Sequence, residues 1–169
     1  LRICLGGSSD PGVTVKAAFD NAQAAGLLTV AIAGNMNGGA VIYPAKYQSV
    51  IAVSATTDTD TLASFSSVGP EVELAAPGKS IYSTYKGGGY ATLDGTSMAS
   101  PHVAGTAALV IAAGIADANG NGKINDEVRQ RLRDTADDLG PTGKDNSFGY
   151  GLVDADGAAM PLPTSATGA

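Results

Sequence analysis

The residues from Leu27 to Ala33 run without a charge, and Val50-Ile51-Ala52-Val53 follow as a second unbroken apolar stretch. Runs this short and this apolar suit strands buried on both faces, as in a parallel sheet covered by helices. Helical patterns lie between and after them. Asp10-Pro11 predicts a helix start, with Ala17, Ala18, Phe19, Ala22 and Ala25 following and Gly26 closing it. Val72 to Ala75 and Ile81 to Thr84 read as shorter extended pieces, separated by Pro77-Gly78. Gly87-Gly88-Gly89 marks a tight connection. From Ser97 to Ala113 the pattern is helical and small, and a last helix is expected from about Asp126 to Ala136. Strand–helix–strand alternation of this kind predicts an α/β fold with a mostly parallel sheet flanked by helices.

The chain opens on Leu1 to Leu5, an apolar strand with no lead-in, which reads as the middle of a larger domain. A native terminus at a short strand is the alternative. Strands 1–5 and 27–33 expect neighbours on both sides, so an isolated chain is expected to expose an apolar edge. The domain is expected over residues 1–160, with a tail or linker at 161–169.

A formal charge of −6 makes nucleic acid and anionic membranes poor partners. No apolar run reaches membrane-spanning length, and no stretch of these 169 residues reads as a signal peptide. The single cysteine, Cys4, excludes an internal disulfide and a cysteine-based zinc site.

Asp94-Gly95-Thr96-Ser97-Met98-Ala99-Ser100-Pro101-His102 is the most informative stretch. A serine at a helix N-terminus can project its hydroxyl into a cleft while free first-turn N–H groups face a developing oxyanion. By itself the same spacing also fits an ordinary N-cap serine. His102, the only histidine, lies five positions on. That is about 7.5 Å of rise and about 140° of rotation on an α-helix, so it cannot serve as the base. An α/β-hydrolase reading fails as well, because no histidine follows it.

Gly95 through Gly105 resembles the serine signature of the subtilisin-like proteases, and further matches follow the family order. Leu5-Gly6-Gly7 is similar to the substrate-binding strand and Ala33-Gly34-Asn35 to the oxyanion turn. Tyr43-Pro44, Ala63-Ser64-Phe65-Ser66, Ala75-Ala76-Pro77-Gly78 and Phe148 to Val153 match later segments. The resemblance implies a partial subtilisin-like fold, the C-terminal portion of a peptidase domain. It implies a serine endopeptidase acting on peptide or protein substrates, secreted or at the cell surface, with no cofactor for catalysis. Ser97 would attack, Asn35 would donate its amide to the oxyanion, and Thr96 would assist at longer range. Leu5, Gly6, Gly7, Ile32, Ala33, Gly34 and Ile42 would line the substrate site. The catalytic aspartate and histidine would come from a preceding N-terminal portion of the same domain. Without it the chain would be inactive, and the alternative function is an inert fragment serving at most as a calcium-binding or interaction module.

Cys4, Arg2 and Met36 depart from the common family pattern; Cys4 fits either a packed neutral thiol or a reactive one. Ile32 and Ile42 stand where smaller residues are frequent, which implies a preference for modest apolar side chains before the scissile bond. The family also often has a cis Tyr-Pro bond, implied here at Tyr43-Pro44, and a cation held by loop carbonyls, here Ala45, Tyr47 and Val50.

Asp117 to Asn125 fits the first nine positions of an EF-hand-type calcium loop. Asp117, Asn119, Asn121 and Asn125 supply oxygens at positions 1, 3, 5 and 9, and Lys123 stands at 7, where a carbonyl serves. Position 12 is Val128 rather than glutamate, with Asp126 and Glu127 nearby but shifted. A plain Asn/Gly turn with Asn125 capping the last helix is the alternative.

Overall fold

The computed structural model describes residues 1–160; the expected tail at 161–169 lies outside the described residues. Four strands form one parallel sheet in the order β1 (Arg2–Ile3), β2 (Thr29–Ile32), β3 (Val50–Thr56) and β4 (Val72–Pro77). β2 and β3 are buried along their whole length, as their unbroken apolar runs require. β5 (Ile81–Tyr85) and β6 (Gly89–Leu93) form a separate antiparallel hairpin, joined by a 3-10 turn at Lys86–Gly88. The fold is thus α/β with a mostly parallel sheet flanked by helices.

The boundaries shift where local chemistry competes. The opening strand contracts to Arg2–Ile3, with Leu1 and Leu5 64 % and 74 % exposed. The first helix, α1 (Val13–Ala24), starts after Asp10-Pro11 because Gly12, at φ 91°, turns back and donates its N–H to Asp10 Oδ1 at 2.9 Å. The last expected helix is α3 (Asn125–Asp134), and a short helix, α4 (Ala155–Ala159), has no counterpart in the sequence reading. The Tyr43-Pro44 bond is cis.

The long helix α2 (Thr96–Ala112) covers one face of the sheet. Ala99, Val103, Ala107 and Val110 pack there with Ile51, Val53 and Leu74, and with Val128 and Leu132 of α3. The other face holds Val41, Tyr47, Val50 and Val72, closed by Phe19 of α1. Gly78 shows why small residues are needed between sheet and helix: a Cβ there would come within 2.6 Å of Ala55 Cβ and 2.8 Å of the Gly95 carbonyl.

The segment Phe148 to Val153 lies along β4 as an extra extended piece. Ala75 N–H donates to Gly151 O at 2.8 Å, Val153 N–H to Ala75 O at 2.9 Å, and Tyr150 N–H to Glu73 O at 2.9 Å. Glu73 itself is 4 % exposed and accepts from Arg129 Nε at 2.7 Å and Arg133 Nε at 2.9 Å. Two guanidiniums on one buried carboxylate tie α3 to the sheet, a cluster that no motif in the sequence announces. Among the described residues no helix is long and apolar enough to cross a membrane.

Candidate active site

The C-terminal end of β2 and the N-terminal end of α2 meet at one spot. β2 ends at Ile32, and the chain turns through Ala33 and Gly34 to Asn35. Gly34 adopts φ 113°, and a Cβ on it would lie 2.9 Å from Ser67 Oγ and 3.1 Å from Ile42. On the other side Gly95 adopts φ 150°, and its N–H donates to Gly78 O at 2.8 Å. Both turns need glycine, and together they set Asn35 against the first turn of α2.

Asn35 is held by its oxygen. Its Oδ1 accepts from Thr96 N–H at 3.0 Å and from Thr96 Oγ1 at 2.9 Å. That bonding leaves the amide Nδ2 without a partner among the described residues, and Asn35 is exposed. Thr96 is fully buried, so its hydroxyl is locked in this role. The sequence reading gives Thr96 a longer-range role at the oxyanion; in the structure its hydroxyl donates to Asn35 Oδ1.

Ser97 is half-buried in the first turn of α2, where N–H groups lack helical partners. The helix has no side-chain cap and no acidic residue in its first turn. Apart from the neutral Asn35 oxygen on the Thr96 N–H, the positive end of its dipole therefore meets no first-turn acid near Ser97. Pro101 adds a further effect. Four residues on from Ser97, it has no N–H to give, so the Ser97 carbonyl loses its helical donor. Arg2 Nη1 at 3.5 Å and Cys4 Sγ at 3.7 Å approach that carbonyl instead. Two of the unusual residues of the opening strand thus stand beside the serine, and Cys4 is half-buried.

His102 is exposed, and its Nδ1 lies 2.9 Å from the Met98 carbonyl. Its ring is thus engaged within its own helix, four residues back. A cleft of about 540 Å³ runs between Arg2, the β5–β6 hairpin and Ser97, Met98, Pro101 and His102.

The expected substrate strand is laid out beside this point. Gly7 and Tyr43 exchange backbone bonds of 3.1 and 2.9 Å, and a Cβ on Gly6 would overlap the Tyr43 carbonyl at 2.1 Å. Leu5 is exposed next to them. Ile42 is half-buried against Gly6 and Gly34, whereas Ile32 is 6 % and Ala33 0 % exposed. Ile32 and Ala33 therefore support the turn from below, and Ile42 is the wall that a ligand could touch.

The expected carbonyl cation site at Ala45, Tyr47 and Val50 lines a pocket with Lys46, Arg129, Arg133 and Lys144, against only Glu71 and Glu73. Val50 O already accepts from Arg129 Nη2 at 3.4 Å, and Tyr47 O from Val50 N–H at 3.0 Å. A guanidinium stands where the cation would serve, so this donor set does not fit a metal ion. Tyr47 also donates to Asp10 Oδ1 at 3.1 Å; burial, and then this bond, push its phenol up.

Comparison with known proteins places these features in context. The model of the subtilase family matches residues 3–151. The chain is 43% identical over 152 residues to Subtilisin Savinase of Lederbergia lenta, covering 90% of this chain and 53% of that protein. It is 43% identical over 152 residues to an alkaline protease of Alkalihalobacillus alcalophilus, covering 90% and 38%. It is 50% identical over 138 residues to the halolysin-like extracellular serine protease Nep of Natrialba magadii, covering 82% and 24%. The chain spans about half the length of these relatives or less.

Proposed function

This chain belongs to the subtilase family, and from that premise we propose that it supplies the nucleophile and oxyanion hole of a serine endopeptidase. The observation that carries the reading is the Thr96–Asn35 pair. It aims an amide donor at the open end of α2 beside Ser97. Ser97 Oγ attacks the peptide carbonyl carbon and gives its proton to a general base. The carbonyl oxygen becomes an oxyanion, held by Asn35 Nδ2 and the Ser97 N–H. Collapse breaks the C–N bond, the amine takes the proton from the base, and an acyl-Ser97 ester remains for water to hydrolyse.

The base and its orienting acid are proposed to lie in polypeptide beyond these 169 residues. The only histidine in the chain is bound to the Met98 carbonyl, and this supports that reading. Peptide or protein substrates are proposed to lie along Leu5, Gly6 and Gly7, with Ile42 narrowing the pocket before the scissile bond. Secretion or a cell-surface location is proposed as well, on the strength of a relative described as extracellular.

A fluorophosphonate probe tests the assignment, applied to this chain alone and to the chain with its upstream partner sequence. Peptide mapping should find the adduct on Ser97, and the upstream sequence should accelerate labelling. An adduct elsewhere, or undiminished labelling in Ser97→Ala, would refute the assignment. Equal labelling rates with and without the upstream sequence would refute the external base.

A further inference from the structure

Two buried acceptors near the start of α3 have no donor among the described residues. Asn125 is 5 % exposed; its Nδ2 donates to the Gln23 carbonyl at 3.2 Å, but its Oδ1 is without a partner. It lines the hollow between α1 and the preceding loop, together with Asp20, Asn121, Lys123 and Asp126. Glu127 presents Oε1 to the Asn119 N–H at 3.2 Å, and its buried Oε2 also has no donor. Buried acceptors of this kind are costly unless a water or a cation completes them. A carboxylate oxygen is the costlier case, because it carries charge.

Both groups belong to the loop that starts at Asp117. Its carboxylate accepts N–H groups from Gly120 at 2.8 Å, Asn121 at 3.2 Å and Gly122 at 2.7 Å. Asn119 Oδ1 accepts from Asn121 N–H at 3.0 Å, and Asn121 Oδ1 from Lys123 N–H at 2.8 Å. The loop is wound around side-chain oxygens. Val128, at position 12, is 0 % exposed in the core and cannot turn toward it. Glu127, one residue earlier, does reach the loop, because α3 already begins at Asn125. Asn125 makes no side-chain cap bond to the helix, whose N-cap is Ile124. The plain-turn alternative thereby loses its stated purpose.

We propose that the loop from Asp117 to Glu127 is a Ca²⁺ site in which Glu127 takes the place of the position-12 carboxylate. Asp117, Asn119 and Asn121 supply side-chain oxygens and Lys123 its carbonyl. Asn125 completes the shell directly or through water. The Lys123 ammonium is held on the Ala24 carbonyl at the end of α1, within the hollow that Asn125 lines, and position 7 offers its carbonyl. The donors are all oxygen and the loop is open, which favours Ca²⁺ over the smaller, stricter Mg²⁺. Among the described residues there is no cluster of three or more acidic, histidine or cysteine side chains. With two carboxylates the affinity belongs in the weak range of extracellular modules, on the order of 10⁻⁴–10⁻³ M. The inference does not depend on the role of Ser97.

Calorimetric titration of the calcium-stripped full chain with CaCl₂ tests it. One equivalent of Ca²⁺ should bind in that range, with Mg²⁺ weaker. Glu127→Gln keeps an acceptor for Asn119 but removes the charge, and should weaken binding by about 10-fold or more. Hydrogen exchange on the parent protein gives a readout independent of any variant. Calcium should slow exchange across residues 117–127 and leave 45–50 unchanged. No binding at millimolar calcium, parent-like affinity in Glu127→Gln, or protection at 45–50 alone would each overturn the proposal.

Discussion

Helices α2 and α3 both begin without a side-chain cap, yet their first turns are furnished differently. α2 carries no acid there, follows a glycine turn, and leaves its positive end facing Ser97 and the free amide of Asn35. α3 carries Asp126 and Glu127 in its first turn and Arg131 and Arg133 in its last, so its dipole is neutralised at both ends. The difference teaches what an open helix end is for. Where acids fill it the helix gains stability; where it stays empty, the field is available to an incoming negative charge, such as the oxyanion proposed above.

The comparison can be broken most severely at the nucleophile. In a protease assembled with its triad partners, Ser97→Ala should lower kcat by about 10⁶-fold, while circular dichroism shows unchanged folding. Asn35→Ala should cost about 10²–10³-fold in kcat with little change in KM, measured on a peptide anilide. A change confined to KM would mean that Asn35 binds substrate rather than the oxyanion. Thr96→Val removes the buried hydroxyl from Asn35 Oδ1 and should cost about 1 kcal/mol, roughly fivefold in kcat. Because Thr96 N–H still holds the same oxygen, a loss as large as that of Asn35→Ala would show the hydroxyl to be more than an orienting group. The smallest effect belongs to α3. Asp126→Asn should lower stability by about 0.3–1 kcal/mol in low salt and less in high salt, followed by urea unfolding. Unchanged stability there would remove the contrast between the two helix ends.

Much of the frame can be read from the sequence because it rests on unbroken patterns. β2 and β3 are buried along their length, and charge-free runs leave them few other places to go. Ser97 and Asn35 are both named by short motifs that end in glycine-dependent turns. The coupling between them is not visible in one dimension. Thr96 and Asn35 are 61 residues apart, and nothing in either motif says that the threonine hydroxyl orients the amide. Glu73, Arg129 and Arg133 escape notice for the same reason. Each looks like a surface charge until β4 and α3 are brought together. The helix start at Val13 is misjudged because Asp10 satisfies the Gly12 N–H before the helix can. In the loop after Asp117 the spacing shows the side-chain oxygens, but not that a helix start at Asn125 brings Glu127 within reach of the Asn119 N–H.

The pairing of residues 148–153 with β4 has a consequence for how this sheet can grow. One lateral margin is occupied by the chain's own closing segment, through the bonds of Ala75 and Glu73. The other margin, β1, has its flanking leucines in solvent. Extension is therefore one-sided. Any added strand must take its register from Arg2 and Ile3, the same short strand that sets Arg2 and Cys4 against the Ser97 carbonyl. The margin open to a further strand and the backbone of Ser97 are thus linked through the side chains of Arg2 and Cys4.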